Sequence, residues 1–185
     1  MAVTLLHTPI PATAPGQRHE TERSLCSSLL KEALGDNAEI VHRPDGSPFI
    51  DSRPDIFISV SHSAGTALIA LSDSPVGVDI EAPRPQLTRV AGKFLTKEES
   101  LRIDPTAPDY LNILLHYWTA KEAAFKLFRL PGLTISEIQI DSELASASSG
   151  SKRCRISFTK ISEEIVATAD CPEEATDTHP TEAHN

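Results

Sequence analysis

The chain has 185 residues, 39% of them hydrophobic and 23% charged, with a formal net charge of −9. That length suits one domain, or two small halves sharing a core, and folding it buries roughly 70% of the unfolded surface without help from staples. The acidic balance argues against a duplex nucleic acid partner, no apolar run nears the ~20 residues of a membrane span, no cationic segment opens a signal-like stretch, and the scattered Cys26, Cys154 and Cys171 offer no Cys-x-x-Cys pair, so the expectation is a cytoplasmic protein that binds neither nucleic acid nor membrane.

Met1 to Gly16 is rich in Pro and Ala, with one short strand expected near Val3–Leu6. Over Glu20–Leu34, Leu25, Leu29, Leu30 and Ala33 recur at helical spacing and Gly35 supplies a stop. Asp45-Gly46 reads as a turn, with Pro48 after it. Ile56–Val60 and Ala67–Leu71 are strand-like runs flanking a Ser61–Gly65 turn. Ser74-Pro75 is another turn, and Val76–Glu81 is strand-like up to Pro83 and Pro85. Leu87–Leu101 reads as a helix interrupted near Gly92, and Asp109–Leu130 as the strongest helix, ended by Pro131-Gly132. Three closing strands are expected over Ile135–Ile140, Arg153–Phe158 and Glu164–Ala169, with a small-residue loop over Ala145–Ser151. Strands and helices mix without strict alternation, which points to an α+β fold.

Charge is unevenly placed. Residues 170–185 hold five acids and no Lys or Arg, a composition expected of a disordered tail. Arg84 to Arg129 holds eight basic residues against five acids, a cationic stretch in an acidic chain. It reads either as solvated helix faces or as a docking surface for an acidic partner or a phosphorylated ligand.

Val76-Gly77-Val78-Asp79-Ile80-Glu81 alternates apolar and acidic residues at its end, so on a strand Asp79 and Glu81 share one face, roughly 7 Å apart. In the long helix Trp118, Glu122 and Lys126 fall four apart on one face. Each pattern alone has a bland reading: a wet edge strand, or a core Trp beside a solvated ion pair. Packed together, Asp79, Glu81 and Glu122 converge, and two carboxylates about 4 Å apart repel by about 4 kcal/mol at an effective dielectric near 20. Such a cluster wants a cation, and an all-oxygen donor set suits Mg²⁺ working on phosphate oxygens. Lys126 would add a second cation. Ser61-His62-Ser63 lacks the Gly-x-Ser-x-Gly elbow of hydrolases and suits phosphate contact better, unless it is an ordinary turn.

In order, Gly46-Ser47-Pro48-Phe49, Ile58 to Ser63, Val76 to Glu81, Lys93 to Glu99 and Trp118-Thr119-Ala120-Lys121-Glu122-Ala123 resemble the 4′-phosphopantetheinyl transferase family in its larger, two-subdomain (surfactin-synthetase) type. The resemblance covers roughly residues 18–140. It implies transfer of the phosphopantetheine arm of coenzyme A to a serine of an apo acyl or peptidyl carrier protein, with adenosine 3′,5′-bisphosphate leaving. It implies Asp79, Glu81 and Glu122 as Mg²⁺ carboxylates, Lys126 with Ser61 and His62 at the phosphates, and Arg23 at the nucleotide 3′-phosphate. Glu99, or a metal-bound water, would take the serine proton. It also implies a monomer of two α+β halves related by a pseudo-twofold axis: residues 1–74, residues 75–169 with the metal site, and an acidic tail over 170–185. The chain departs from the family in lacking clear basic residues before its first helix apart from Arg18, and in having Ser47 where Gly-Lys-Pro is usual. Past Lys126 it runs Leu127-Phe128-Arg129-Leu130-Pro131 where glycine-rich sequence is usual. Two other readings stay open: a different Mg²⁺-dependent phosphate or nucleotide hydrolase, and a non-catalytic relative that binds carrier proteins.

Overall fold

An uninterrupted apolar run, Ala67–Leu71, builds the centre of the first sheet. The computed structural model describes residues 3–14 and 16–171. Strand β5 (Thr66–Ser72) lies at the centre, antiparallel to β1 (Thr4–Pro9) on one side and to β4 (Phe57–His62) on the other. It is buried along its whole length because both faces are covered. Ala67, Ile69 and Leu71 point toward helix α1 (Arg18–Leu34) and pack with its Cys26 and Leu30. Leu68 and Ala70, on the opposite face, pack against Val78, Ile80 and Val166 of the second sheet.

The second sheet has five antiparallel strands in the order β6-β10-β9-β8-β7: β6 (Val76–Glu81), β10 (Glu164–Asp170), β9 (Lys152–Ile161), β8 (Ser146–Ser149) and β7 (Gln139–Ile140). The long helix α4 (Tyr110–Phe128) lies on it, burying Leu114, Leu115, Ala120, Ala123 and Ala124 against Ile165, Ala167 and Ala169. A short hairpin, β2 (Ile40–His42) and β3 (Pro48–Ile50), surrounds the Asp45-Gly46 turn. The fold is thus mixed, with helices and antiparallel sheets, as composition and pattern lead one to expect.

The interruption expected near Gly92 in the helix over 87–101 is present: the segment is α2 (Gln86–Val90), a turn of 3-10 helix at 91–93, and α3 (Lys97–Arg102). Thr96 restarts the helix as an N-cap, its side chain accepting from Glu99 N while the Glu99 carboxylate accepts from Thr96 N. The stretch expected to be a loop over 145–151 contains β8, whose Ala147 is buried opposite Cys154. Small residues hide the alternation that marks a strand. Of residues 135–140 only the last two are strand, because the Thr134–Glu137 capping box folds the rest into 3-10 helix. Asp170, assigned to the tail, closes β10 and accepts two hydrogen bonds from Arg155, at 2.9 and 2.7 Å. Residues 172–185 lie outside the described residues.

Candidate active site

The site begins with the absence of a side chain. A β-carbon at Gly77 would stand 2.0 Å from the Ala123 carbonyl oxygen, so only glycine lets α4 lie directly on β6. That approach brings Lys126 across the strand to Asp79. β6 is an edge strand of its sheet, and its outward backbone groups are met by side chains from the other sheet and from the helix. Val78 N donates to Ser59 Oγ at 3.0 Å, Ile80 N to Ser61 Oγ at 3.4 Å, and Val78 O accepts from Lys126 Nζ at 3.0 Å.

Asp79 is 5% exposed. Its Oδ1 accepts from Ser61 Oγ at 2.7 Å and from Lys126 Nζ at 2.8 Å. Its Oδ2 is buried without a hydrogen-bond partner among the described residues. Lys126 Nζ also donates to Ser61 Oγ at 3.0 Å. Glu81 Oε1 accepts from Trp118 Nε1 at 2.7 Å and from Arg84 at 2.9 Å. The Trp118 ring meets Phe94 edge-on at 5.2 Å, and the Arg84 guanidinium sits 5.7 Å from the Trp118 ring centroid. Burial pushes the Glu81 carboxyl above its usual value; the Trp118 hydrogen bond opposes this and the Asp79 charge adds to it. Glu122 is pushed to about 7, by burial first and by Asp79 and Glu81 as well, with Lys126 and Arg84 opposing; no hydrogen bond contributes.

Asp79, Glu81 and Glu122 line one cleft of about 1640 Å³, together with Lys126, Ser61 and His62. Among the described residues, no three His, Cys, Asp or Glu side chains already stand close enough to enclose an ion. The donor set fits a hard divalent cation all the same: an orphaned buried Asp79 Oδ2, a Glu122 carboxylate free of hydrogen bonds, and oxygen donors throughout.

Arg23 is exposed and lines the same cleft. His62 lines it too, but its Nε2 lies 3.4 Å from the buried carboxylate of Glu22. Arg18, the nearest substitute for missing basic residues, is spent on structure: it donates to Ser63 O at 2.6 Å and pairs with Glu22 at 2.7 Å. Glu99 is corrected as a proton acceptor in the cleft. It has no exposure, pairs with the equally buried Lys121 at 2.7 Å, caps α3, and accepts from Ile140 N at 2.8 Å. Both of its carboxylate oxygens are engaged inside the core, away from the cleft.

Glu22, Ser59, Gly77 and Arg84 were not singled out from the sequence. Glu22 had one legible signal, an acid in line with Cys26 and Leu30 on the buried stripe of α1. Gly77 inside an alternating strand was another, since a glycine there marks close backbone approach.

A family model described as the 4′-phosphopantetheinyl transferase superfamily matches residues 75–172, more than half of the chain. The chain is 30% identical over 82 residues to 4′-phosphopantetheinyl transferase Sfp of Bacillus subtilis (strain 168), covering 44% of this chain and 37% of that protein. It is 31% identical over 128 residues to 4′-phosphopantetheinyl transferase AcpT of Salmonella typhi, covering 67% and 66%. To 4′-phosphopantetheinyl transferase psf-1 of Bacillus pumilus it is 33% identical over 85 residues, covering 45% and 36%. The chain thus spans little more than a third of the Bacillus relatives and about two thirds of the Salmonella one. The family model takes in the second sheet with β6, and α4, the elements that carry the carboxylates and Lys126. The chain belongs to the 4′-phosphopantetheinyl transferase superfamily.

Proposed function

We propose that this protein is a transferase that moves the 4′-phosphopantetheine arm of coenzyme A onto a serine of an apo acyl or peptidyl carrier protein. The observation that carries the reading is the meeting of Asp79, Glu81 and Glu122 with Lys126 in one cleft of a chain belonging to this superfamily. The serine oxygen attacks the β-phosphorus of the coenzyme A pyrophosphate, the bond to the 5′-phosphate of the nucleotide breaks, and adenosine 3′,5′-bisphosphate departs.

Asp79, Glu81 and Glu122 would hold Mg²⁺, which when bound neutralises charge on the pyrophosphate oxygens. Lys126 supplies a fixed ammonium beside them, held by Ser61 Oγ, Val78 O and Asp79 Oδ1. We assign the serine proton to Glu122. A carboxylate has two oxygens, so holding a cation with one leaves the other for the serine hydroxyl. Glu99 and Lys121 act at one remove: their buried pair ties α3 to α4 at the residue next to Glu122.

Two α+β halves, α1 with the first sheet and α4 with the second, are read as related by a pseudo-twofold axis, with the boundary at Ser74-Pro75 between β5 and β6. The partner is an acidic carrier domain, met by the basic stretch that includes the exposed Arg89 and Lys93. We read the protein as a monomer working in the cytoplasm.

Chromatography of the nucleotide products tests the reading. Adenosine 3′,5′-bisphosphate should appear only when coenzyme A, an apo-carrier and Mg²⁺ are all present. Release without any carrier would instead identify a hydrolase.

A further inference from the structure

Two of the three cysteines meet at one end of the second sheet. Between β10 and β9, Ala169 is paired with Ile156 and Asp170 with Arg155. One residue further along the same register, Cys171 stands opposite Cys154. The last pair is held firmly on the other face of the sheet, where the Arg155 guanidinium donates to both oxygens of Asp170 at 2.9 and 2.7 Å. Residues opposite one another share a face, so Cys171 and Cys154 both lie on the face of Ala169 and Ile156. The Cys171 thiol donates to Arg153 O at 3.8 Å, which places its Sγ over β9 beside Cys154.

Backbone direction makes the pair bondable. Ile156 N donates to Ala145 O at 2.8 Å, toward β8. Cys154, two residues earlier on β9 and paired with Ala147, turns its backbone groups to the same side. Toward β10 it therefore occupies a non-hydrogen-bonded position, where opposite Cα atoms stand about 4.5 Å apart and side chains come closer. That spacing falls within the range of about 4.4–6.8 Å that a disulfide spans. The two thiols differ in access. Cys154 is 1% exposed and belongs to the core with Ile156 and Ala169, whereas Cys171 is exposed. Burial pushes the Cys154 thiol up to about 12; a backbone hydrogen bond from Ala147 opposes this and Cys171 adds to it. Cys26 is buried in the separate core beneath α1.

We propose that Cys154 and Cys171 are a redox pair that closes to a disulfide between β9 and the end of β10 in the presence of a small-molecule disulfide such as oxidised glutathione. The exposed Cys171 thiolate attacks one sulfur of the oxidant, one small thiol leaves, and a mixed disulfide forms on Cys171. Cys154 then gives up its proton and attacks the Cys171 sulfur, releasing the second small thiol. In the protein two S–H bonds break and one S–S bond forms; the oxidant's S–S bond breaks, and it carries away both electrons and both protons as two thiols. Because the second exchange is intramolecular, the raised Cys154 pKa slows it without preventing it. In a reducing compartment the pair stands as two thiols and oxidises only transiently. Neither cysteine is among the described residues that line the cleft, so the bond staples the end of the chain to the sheet and leaves the site as it is. The inference is independent of the transferase reading.

Thiol counting on the full chain tests it. The reduced protein is incubated in native buffer with oxidised glutathione, then denatured and labelled with a maleimide. Of the three cysteines, only Cys26 should still take the label. The unlabelled protein should be lighter by two hydrogens, and its unreduced digest should contain Cys154 linked to Cys171. Cys171→Ser, a change at an exposed position, should keep both of its remaining thiols. Cross-linking the loop over residues 154–171 should raise Tm by about 5–10 °C in the wild type and leave Cys171→Ser unchanged. Three labelled thiols after oxidation, a lasting glutathione adduct on Cys171, or a dimer joined through Cys171 would each overturn the pair. A linkage that forms only in denaturant would overturn it too, and an unchanged Tm despite the linkage would overturn its part as a staple.

Discussion

Lys121 Nζ lies 2.7 Å from Glu99 Oε2, and neither residue has any exposed surface. Lys121 also donates to Ile138 O, and Glu99 receives backbone N–H groups from Thr96 and Ile140. Burial lowers the Lys121 pKa and the Glu99 partner raises it again. The pair therefore works as a bolt between α3, α4 and β7, one residue away from Glu122. Removing one partner leaves an uncompensated buried charge, which costs about 3–5 kcal/mol. Lys121→Met and Glu99→Gln should each lower the unfolding free energy measured in urea by that order, and the double variant should recover part of the loss. A Glu99→Gln protein that keeps wild-type stability but loses all turnover would show instead that Glu99 acts on the substrate.

Gly77 sets the distance between strand and helix. Gly77→Ala places a methyl group against the Ala123 carbonyl, where neither backbone can yield without moving α4. Overpacking of this kind costs about 1–3 kcal/mol. The larger effect should fall on catalysis, because a displaced α4 carries Glu122 and Lys126 away from Asp79. Circular dichroism melting together with single-turnover rates measures both. A variant that turns over at the wild-type rate would contradict the role given to this contact.

The Glu122 carboxyl, raised to about 7, makes stability depend on pH when no divalent cation is bound. The folded protein binds a proton at this site between about pH 4.5 and 7 that the unfolded chain has released. Stability from this group is therefore full at low pH and falls as pH rises through 7, by about 3 kcal/mol in all for a shift of this size. Denaturant titrations in chelator at pH 5 and pH 8 should show the fall. Glu122→Gln should flatten it, and added Mg²⁺ should stabilise the wild type more at pH 8 than at pH 6. A slope that is identical in wild type and variant would assign the effect to other groups.

Charge reversal on the basic stretch separates carrier docking from donor binding. Arg89→Glu and Lys93→Glu lie on exposed positions outside the cleft lining. Each should raise KM for an acidic carrier several-fold with little change in KM for coenzyme A, and the difference should shrink in high salt. Equal effects on both substrates would place the residues at the donor site instead.

Much of this arrangement was legible in the sequence for a simple reason. Period-two alternation in Val76–Glu81 put Asp79 and Glu81 on one face, and period-four spacing put Trp118, Glu122 and Lys126 on another; both are local rules that a single segment obeys. What the sequence hid was tertiary. Glu99 carries the right spacing for an acidic site residue, yet Lys121 and Ile140, distant in sequence, draw it into the core. Glu22 looks like an ordinary charge on α1 until the β4–β5 turn brings His62 and the Arg18 contacts around it. Strand β8 escaped because Ser and Ala show no apolar alternation and its pairing with β9 is what makes it a strand. The Ser59 and Ser61 hydroxyls acquire meaning only when β6 proves to be an edge whose backbone they satisfy.

The most direct measurement is the intact mass of an apo-carrier protein after incubation with this protein, coenzyme A and Mg²⁺, with Glu122→Gln and chelator controls. A phosphopantetheinyl transferase gives a carrier heavier by one phosphopantetheine arm, absent from both controls. A carrier of unchanged mass across acyl and peptidyl carriers, with coenzyme A intact, would contradict the transferase reading and leave a protein that binds carriers without modifying them.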